Sequence, residues 1–373
     1  MAIPTTPFSA QLLLILAFLF LGLWSSTFKL AGNRWRFELF SLDFAVGTLL
    51  FALVASYTLG SFGSDLGFSE HLMISSRTSQ AFAFGAGCLF AFANMLLLSA
   101  TALLGLSFAY AIATSSALLV LSAIEFEGVR ALLLVVAVLA AILALIFEAT
   151  GASGGEATLP AVSLPVHVRK STGGRPVKQK RETGIKNSSK GVIVAILSGL
   201  VFGALFAPMR NAIFAEFGLG AFAGLVMVCA GVLVATICLS FFFMNITVHG
   251  NRIGLGSYLR GSLGQHLLGV IGGALCAAGI LLILMLNTFP PDAQPDKLWI
   301  AAAALGASLL AMALGLTKWR ELGQAPGSVT RRLLIGGVSM LVAIGAFALA
   351  MDRTPPPALP QQQLGLVHTQ LPG

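Results

Sequence analysis

Residues 150–190 read TGASGGEATLPAVSLPVHVRKSTGGRPVKQKRETGIKNSSK, the longest polar stretch of a 373-residue chain. Eight of the 22 Lys and Arg residues lie in it: Arg169, Lys170, Arg175, Lys178, Lys180, Arg181, Lys186 and Lys190. Gly, Ser and Pro interrupt it and no hydrophobic period runs through it. Such a stretch cannot bury enough apolar surface to fold alone, and it reads as a flexible basic loop. On both sides the sequence turns apolar and stays so. The loop therefore divides the chain into two hydrophobic halves.

Hydrophobic residues make up 57% of the chain and charged residues 10%, and the mean hydropathy is +0.91. Soluble domains carry about a quarter charged residues, so this composition belongs in a bilayer. The net charge of +8 does not point to nucleic acid, because the charges gather in loops and form no basic helical face. Cys88, Cys229, Cys238 and Cys276 all lie in apolar runs, where packing and not disulfide formation is expected. His71, His167, His249, His266 and His368 fall in loops, at helix edges or in the tail. None stands at metal-ligand spacing from Cys or an acid, so neither a metal nor another cofactor is expected. Residues 1–9 carry no charged side chain, and the apolar run after them is long enough to span, which predicts a retained first helix.

Hydropathy predicts ten spans, at about 8–28, 42–62, 80–100, 106–124, 131–147, 191–209, 219–244, 265–287, 298–317 and 333–351. The third and fourth come from one uncharged run, Ala81 to Ile124. Its 44 residues would make a helix of about 66 Å against a hydrocarbon core of about 30 Å. A hairpin at Thr101 to Gly105 is the natural break. The expected organisation is a five-helix half at 1–149, the basic loop at 150–190, a second five-helix half at 191–351 and a disordered Pro- and Gln-rich tail at 352–373.

The loops between ten spans can be sorted by face. The odd loops hold 17 of the Lys and Arg residues; the even loops and termini hold 5. The positive-inside rule then puts the central loop in the cytoplasm and both termini outside, in a cytoplasmic (inner) membrane. Two halves of five spans must run in opposite senses. A short internal match fits such an inverted repeat: Leu21-Gly22-Leu-Trp-Ser-Ser-Thr-Phe-Lys29 aligns with Phe202-Gly203-Ala-Leu-Phe-Ala-Pro-Met-Arg210, and Asp43-Phe-Ala-Val-Gly47 with Ala221-Phe-Ala-Gly224. Inverted repeats with a midplane site are a transporter architecture.

Several motifs give the chain a family likeness: Trp24, Leu42-Asp43-Phe44, Tyr57-Thr-Leu-Gly60, Ala93-Asn94, Gly105-Leu-Ser-Phe-Ala-Tyr110, Thr114-Ser115-Ser116, Phe202-Gly203, Phe206-Ala-Pro208 and Asn211. Across about residues 10–245 the chain resembles the drug/metabolite transporter superfamily, and within it the ureide permease family. The resemblance implies a ten-helix permease for ureides or nucleobases, with protons as the coupling ion. Two motifs differ from that family. Gly184-Ile-Lys-Asn-Ser-Ser-Lys190 lacks the glycine before lysine that a phosphate-binding loop needs, and the ninth span ends in Leu316-Thr-Lys-Trp-Arg-Glu321 in place of aromatic-Gly-Glu.

Polar groups at membrane depth are the candidate solute ligands. Asn94, mid-way along the third span, can both donate and accept; an interhelical hydrogen bond is the other reading. Thr114, Ser115 and Ser116 either line a cavity or bond back to their own helix. Trp24 and Tyr110 offer flat faces for a planar or sugar-like ring, or pack against neighbouring helices, and Trp24 could also sit in the interfacial belt. Lys29 and Asp43, entering from one side, form a candidate cation–carboxylate pair for gating or proton coupling; snorkelling of Lys29 to the headgroups and solvation of Asp43 in the loop are the other readings. Arg210 follows Pro208, which can break the sixth span as substrate-binding helices are broken; ordinary headgroup anchoring is its other reading.

The expected function is secondary transport of a small polar solute, with ureides or nucleobases first and a monosaccharide second. Lipids and protons are the other expected partners, and a homodimer is compatible with the layout. An intramembrane transferase lacks its acidic pair or catalytic Ser, His or Cys set, and an ATP-driven pump lacks its nucleotide-binding motif, so no enzyme is expected.

Overall fold

The structure, a computed structural model, describes residues 6–32, 35–61, 67–124, 130–154, 185–246, 248, 252–289, 295, 297–323 and 325–351. These form helices only, as the bilayer demands: without water, each backbone N–H and C=O must be satisfied within its own segment. In chain order they are α1 Pro7–Ala31, α2 Phe37–Thr58, α3 Phe68–Ile74, α4 Arg77–Leu104, α5 Leu106–Ile124, α6 Ala131–Gly154, α7 Ile185–Ala204, α8 Phe206–Ile213, α9 Ala221–Asn245, α10 Gly256–Leu259, α11 Leu263–Leu286, α12 Lys297–Thr317 and α13 Gly327–Met351.

Among the described residues, nine helices are long and apolar enough to cross a membrane, as in an all-α multi-pass membrane protein. The expected span at 298–317 falls on α12, whose apolar stretch Ala302–Thr317 is shorter. The exterior carries many large apolar side chains, with Ile15, Val54, Leu139, Ile146, Val234 and Val338 all exposed. Water would not tolerate that surface, whereas lipid matches it.

Sequence signals set the ends of the helices. Thr6 caps α1 and Pro7 opens it, where the missing N–H costs nothing. Ser76 caps α4, and Ser262 with Gln265 forms a reciprocal capping box on α11. The expected hairpin between the third and fourth spans shrinks to one residue, Gly105, at φ +88°, a conformation that favours glycine.

Several expected boundaries are corrected. α2 begins at Phe37, so Asp43 lies inside a helix instead of at its mouth. The polar loop 63–79 contains α3. Both ends of the expected loop 150–190 are helical, since α6 runs to Gly154 and α7 starts at Ile185. The rest of that loop, 155–184, and the tail 352–373 lie outside the described residues. The expected break in the sixth span exists: α7 stops at Ala204, Leu205 turns, and α8 restarts with Pro208 in its first turn.

In the bundle, α6 packs on α13, α1 on α11 and α12, and α2 on α11 and α9. α4 packs on α9 and α7, and α5 on α6, α7 and α12. Glycines allow the closest approaches. A Cβ at Gly47 would stand 2.1 Å from the Val270 carbonyl oxygen, and one at Gly273 would stand 2.0 Å from that of Phe44, which brings α2 and α11 into backbone contact. Gly87 and Gly231 do the same for α4 and α9, at 2.0 Å from Val228 O and 2.1 Å from Phe84 O.

Candidate functional site

A chain of aromatic rings runs through the interior of the bundle. Trp24 of α1 meets Phe44 of α2 with ring centroids 5.1 Å apart and Tyr110 of α5 at 6.1 Å. Phe44 continues to Phe90 of α4 at 6.5 Å, and Phe90 to Phe202 of α7 at 5.5 Å. Five buried polar atoms on these same helices have no hydrogen bond of ordinary geometry among the described residues: Ser26 Oγ, Asn94 Oδ1 and Tyr110 Oη, and also Asp43 Oδ2 and Ser122 Oγ. Unpaired polar groups in an apolar interior are costly, and each could be satisfied by a polar solute.

Trp24 is buried and so does not belong to an interfacial belt. Asn94 is also buried, ten residues before the end of α4, or about 15 Å along the helix from that end. The hydroxyls of the fourth span do not act as a set. Thr114 is half-buried, and Ser116 Oγ donates to its own helix at Ile112 O, 2.7 Å away. Ser115 Oγ, read as lining a cavity or bonding back to its own helix, donates to Glu148 of α6 at 2.9 Å. Arg210 is exposed on α8, outside this interior.

Two charged clusters close the nearby end of the bundle, and they correct the expected pairing of Lys29 with Asp43. Lys29 Nζ lies 2.8 Å from Glu321 Oε1, in the turn after α12. The same carboxylate accepts the backbone N–H groups of Leu106 at 2.7 Å and Ser107 at 2.8 Å, the first two residues of α5. An anion at a helix N-terminus satisfies orphan donors and faces the positive end of the dipole. Burial alone would raise the Glu321 carboxyl, but the Lys29 ammonium and the two amides outweigh it and hold it below the usual carboxylate range. Gly105 and Gly315 make room, since a Cβ on either would reach the Glu321 carboxyl within 3 Å.

Asp43 is buried and meets the second half of the chain differently. Its Oδ1 accepts the Tyr258 hydroxyl of α10 at 2.5 Å and lies 2.9 Å from His266 Nδ1 of α11. Trp35, beside the same carboxyl, packs edge-on against His266 at 4.8 Å. Burial and the neighbouring Asp43 push the Tyr258 phenol well up from its ordinary value. Further links seal this end: Gln265 Nε2 donates to Ala31 O at 3.3 Å and Ser240 Oγ to Glu38 O at 3.3 Å. Arg36 pairs with the buried Glu38.

None of Glu321, His266, Tyr258 and Glu148 was a site candidate in the sequence. Glu321 and His266 meet their partners only across the two halves, which no local spacing reveals. Glu148 was legible as a carboxyl next to the expected end of the fifth span, and the longer α6 moves it inside.

No family model matches the chain, and no curated protein matches it either. A solved crystal structure of a protein is similar at 16% identity, with a TM-score of 0.49, over 93% of this chain and 99% of that one.

Proposed function

We propose that the chain is a secondary active transporter for a small polar solute, built of ten spans as two inverted five-helix repeats. The observation that carries this reading is the placement of two cross-half charged contacts, Lys29–Glu321 and Asp43–His266–Tyr258, directly above an aromatic interior with unpaired polar atoms. A binding chamber closed on one side by breakable polar links is what alternating access requires.

The packing supports the repeat. Exchanging the first five long helices for the last five turns α1–α11 into α7–α4, α2–α11 into α9–α4, α1–α12 into α7–α5, and α5–α6 into α12–α13. All of these pairs occur. The close-approach glycines agree, because Gly47, Gly87, Gly231 and Gly273 are each the eleventh residue of their helix. This register sets Gly47 against Gly231, replacing the sequence match of Gly47 with Gly224. It keeps Gly22 against Gly203, whose added Cβ atoms would strike Leu310 of α12 and Val120 of α5.

The charge asymmetry supports a cytoplasmic location for the closed end. Flat faces at Trp24 and Tyr110 with the Asn94 amide suit a ureide or nucleobase, in keeping with the ureide permease resemblance. The unpaired Ser26 hydroxyl favours a monosaccharide as the second reading. A thermal-shift and proteoliposome-uptake panel of allantoin, uracil, xanthine, glucose, ribose and rhamnose tests both. Stabilisation and uptake of the planar solutes supports the first reading, the same response to sugars supports the second, and stabilisation without uptake counts against transport.

A further inference from the structure

Glu148 is the sole ionisable residue of α6 and is 0% exposed. It lies six residues from the helix end, about 9 Å along the axis. Its Oε2 accepts the Ser115 hydroxyl at 2.9 Å, and its Oε1 is buried without a partner among the described residues. On the other side its Cγ fills a notch at Gly336 of α13, where a Cβ would stand 2.6 Å from it.

Among the described side chains, the surrounding helices bring no cation to this carboxyl. On α5 the single titratable group is Tyr110, whose ring lies against Trp24. On α13 they are Arg331 and Arg332; Arg331 lines an open groove on the outer face of α13, and the Arg332 guanidinium donates to Thr150 O at 3.2 Å. On α7 they are Lys186 in the first turn and Lys190, which donates to Val248 O at 2.5 Å. A bare carboxylate with one hydrogen bond costs far more in such a place than a neutral carboxylic acid. Among the described residues the Ser115 hydroxyl is the one further side-chain oxygen ligand, too poor a set for a metal ion.

We propose that Glu148 is a proton-binding site buried in the α5–α6–α13 interface, loaded in this conformation and emptied to water when the Gly336 contact opens. On release the carboxyl O–H bond breaks, the proton passes to water, and the carboxylate is left hydrated. Ser115 and Ser107 lie on the same helix, eight residues or about 12 Å apart. α5 thus joins this proton to the Glu321 carboxylate that caps its N-terminus. Use of the proton to drive solute rests on the transporter reading; its binding does not.

Infrared spectroscopy of the purified full chain in lipid nanodiscs, taken from about pH 6 to pH 9, reads the proton without any solute. The carbonyl stretch of a neutral carboxylic acid is expected at the low end of that range, downshifted in D2O and absent in Glu148→Gln, an isostere that keeps the Ser115 bond. Ser115→Ala should retain this band at a shifted frequency, which keeps the test decisive should Glu148→Gln fail to fold. No such band in the wild type, a band unchanged in Glu148→Gln, or one unmoved by Ser115→Ala overturns the proposal. A band that behaves as expected while a pH gradient drives no solute leaves the proton site standing and removes the coupling alone.

Discussion

Lys29 Nζ and Glu321 Oε1 lie 2.8 Å apart although they come from opposite halves of the chain. Glu321 also caps α5 through two amides, so this single carboxylate ties α1, α5 and the α12–α13 turn together. The two partners therefore contribute unequally. Glu321→Ala should destabilise the protein by about 2–3 kcal/mol, because it strips the charged acceptor from two helix N–H groups. Lys29→Ala should cost no more than about 1 kcal/mol, since its ammonium is partly exposed. Chemical unfolding of both single variants and the double variant checks this, and strict additivity would show that the two side chains do not interact.

Acid should weaken the same contact. The folded Glu321 carboxyl titrates below its unfolded value of about 4.3. Its stabilisation is therefore complete above that value and is lost as pH falls through the folded one. The melting temperature of the wild type should drop in this acid window, and that of Glu321→Gln should drop less. Parallel acid profiles for the two proteins would contradict the assignment.

Much of the fold was legible because bilayer spans announce themselves by length and by the absence of charge. The uncharged run Ala81–Ile124 could only be two helices, and Gly105 was the one place to turn. The partners of the charges were not legible. Lys29 and Asp43 both stand at the same end and look paired in sequence, but α1 and α2 diverge onto different partners, Glu321 for one and His266 with Tyr258 for the other. Ser115 shows the same limit, because its rotation on α5 decides whether it meets solute or Glu148, and local sequence does not encode which neighbour packs on that face.

The close-approach glycines should be intolerant in matched pairs. Gly47→Ala and Gly231→Ala each drive a methyl into a backbone carbonyl, and each should cost about 1–3 kcal/mol. Gly85→Ala and Gly345→Ala meet nothing within 4 Å and should be neutral or stabilising by up to about 1 kcal/mol. Melting curves of the four variants check this, and equal loss in all four would mean that general helix effects, not contact, dominate.

Asn94 is the most direct test of the chamber. Asn94→Ala should remove one or two hydrogen bonds to the solute, about 1–3 kcal/mol, or up to about a hundredfold in affinity. Asn94→Leu should be worse because it also fills the space. Affinity and melting temperature measured on one purified variant separate the two roles of the amide. A lower melting temperature with affinity unchanged within about twofold, on the order of 0.4 kcal/mol, would make it a structural bond.

Alternating access itself can be measured without knowing the solute. Spin labels at Leu30 and Thr317 report on the closed end, and labels at Leu59 and Phe217 on the opposite end; all four positions are exposed. Pulsed electron paramagnetic resonance in nanodiscs then compares the wild type with the Lys29→Ala/Glu321→Ala double variant. The expected result is reciprocal: the Leu30–Thr317 distance lengthens while the Leu59–Phe217 distance shortens. Movement at the first end alone, or at neither, would contradict a transporter gated by Lys29 and Glu321.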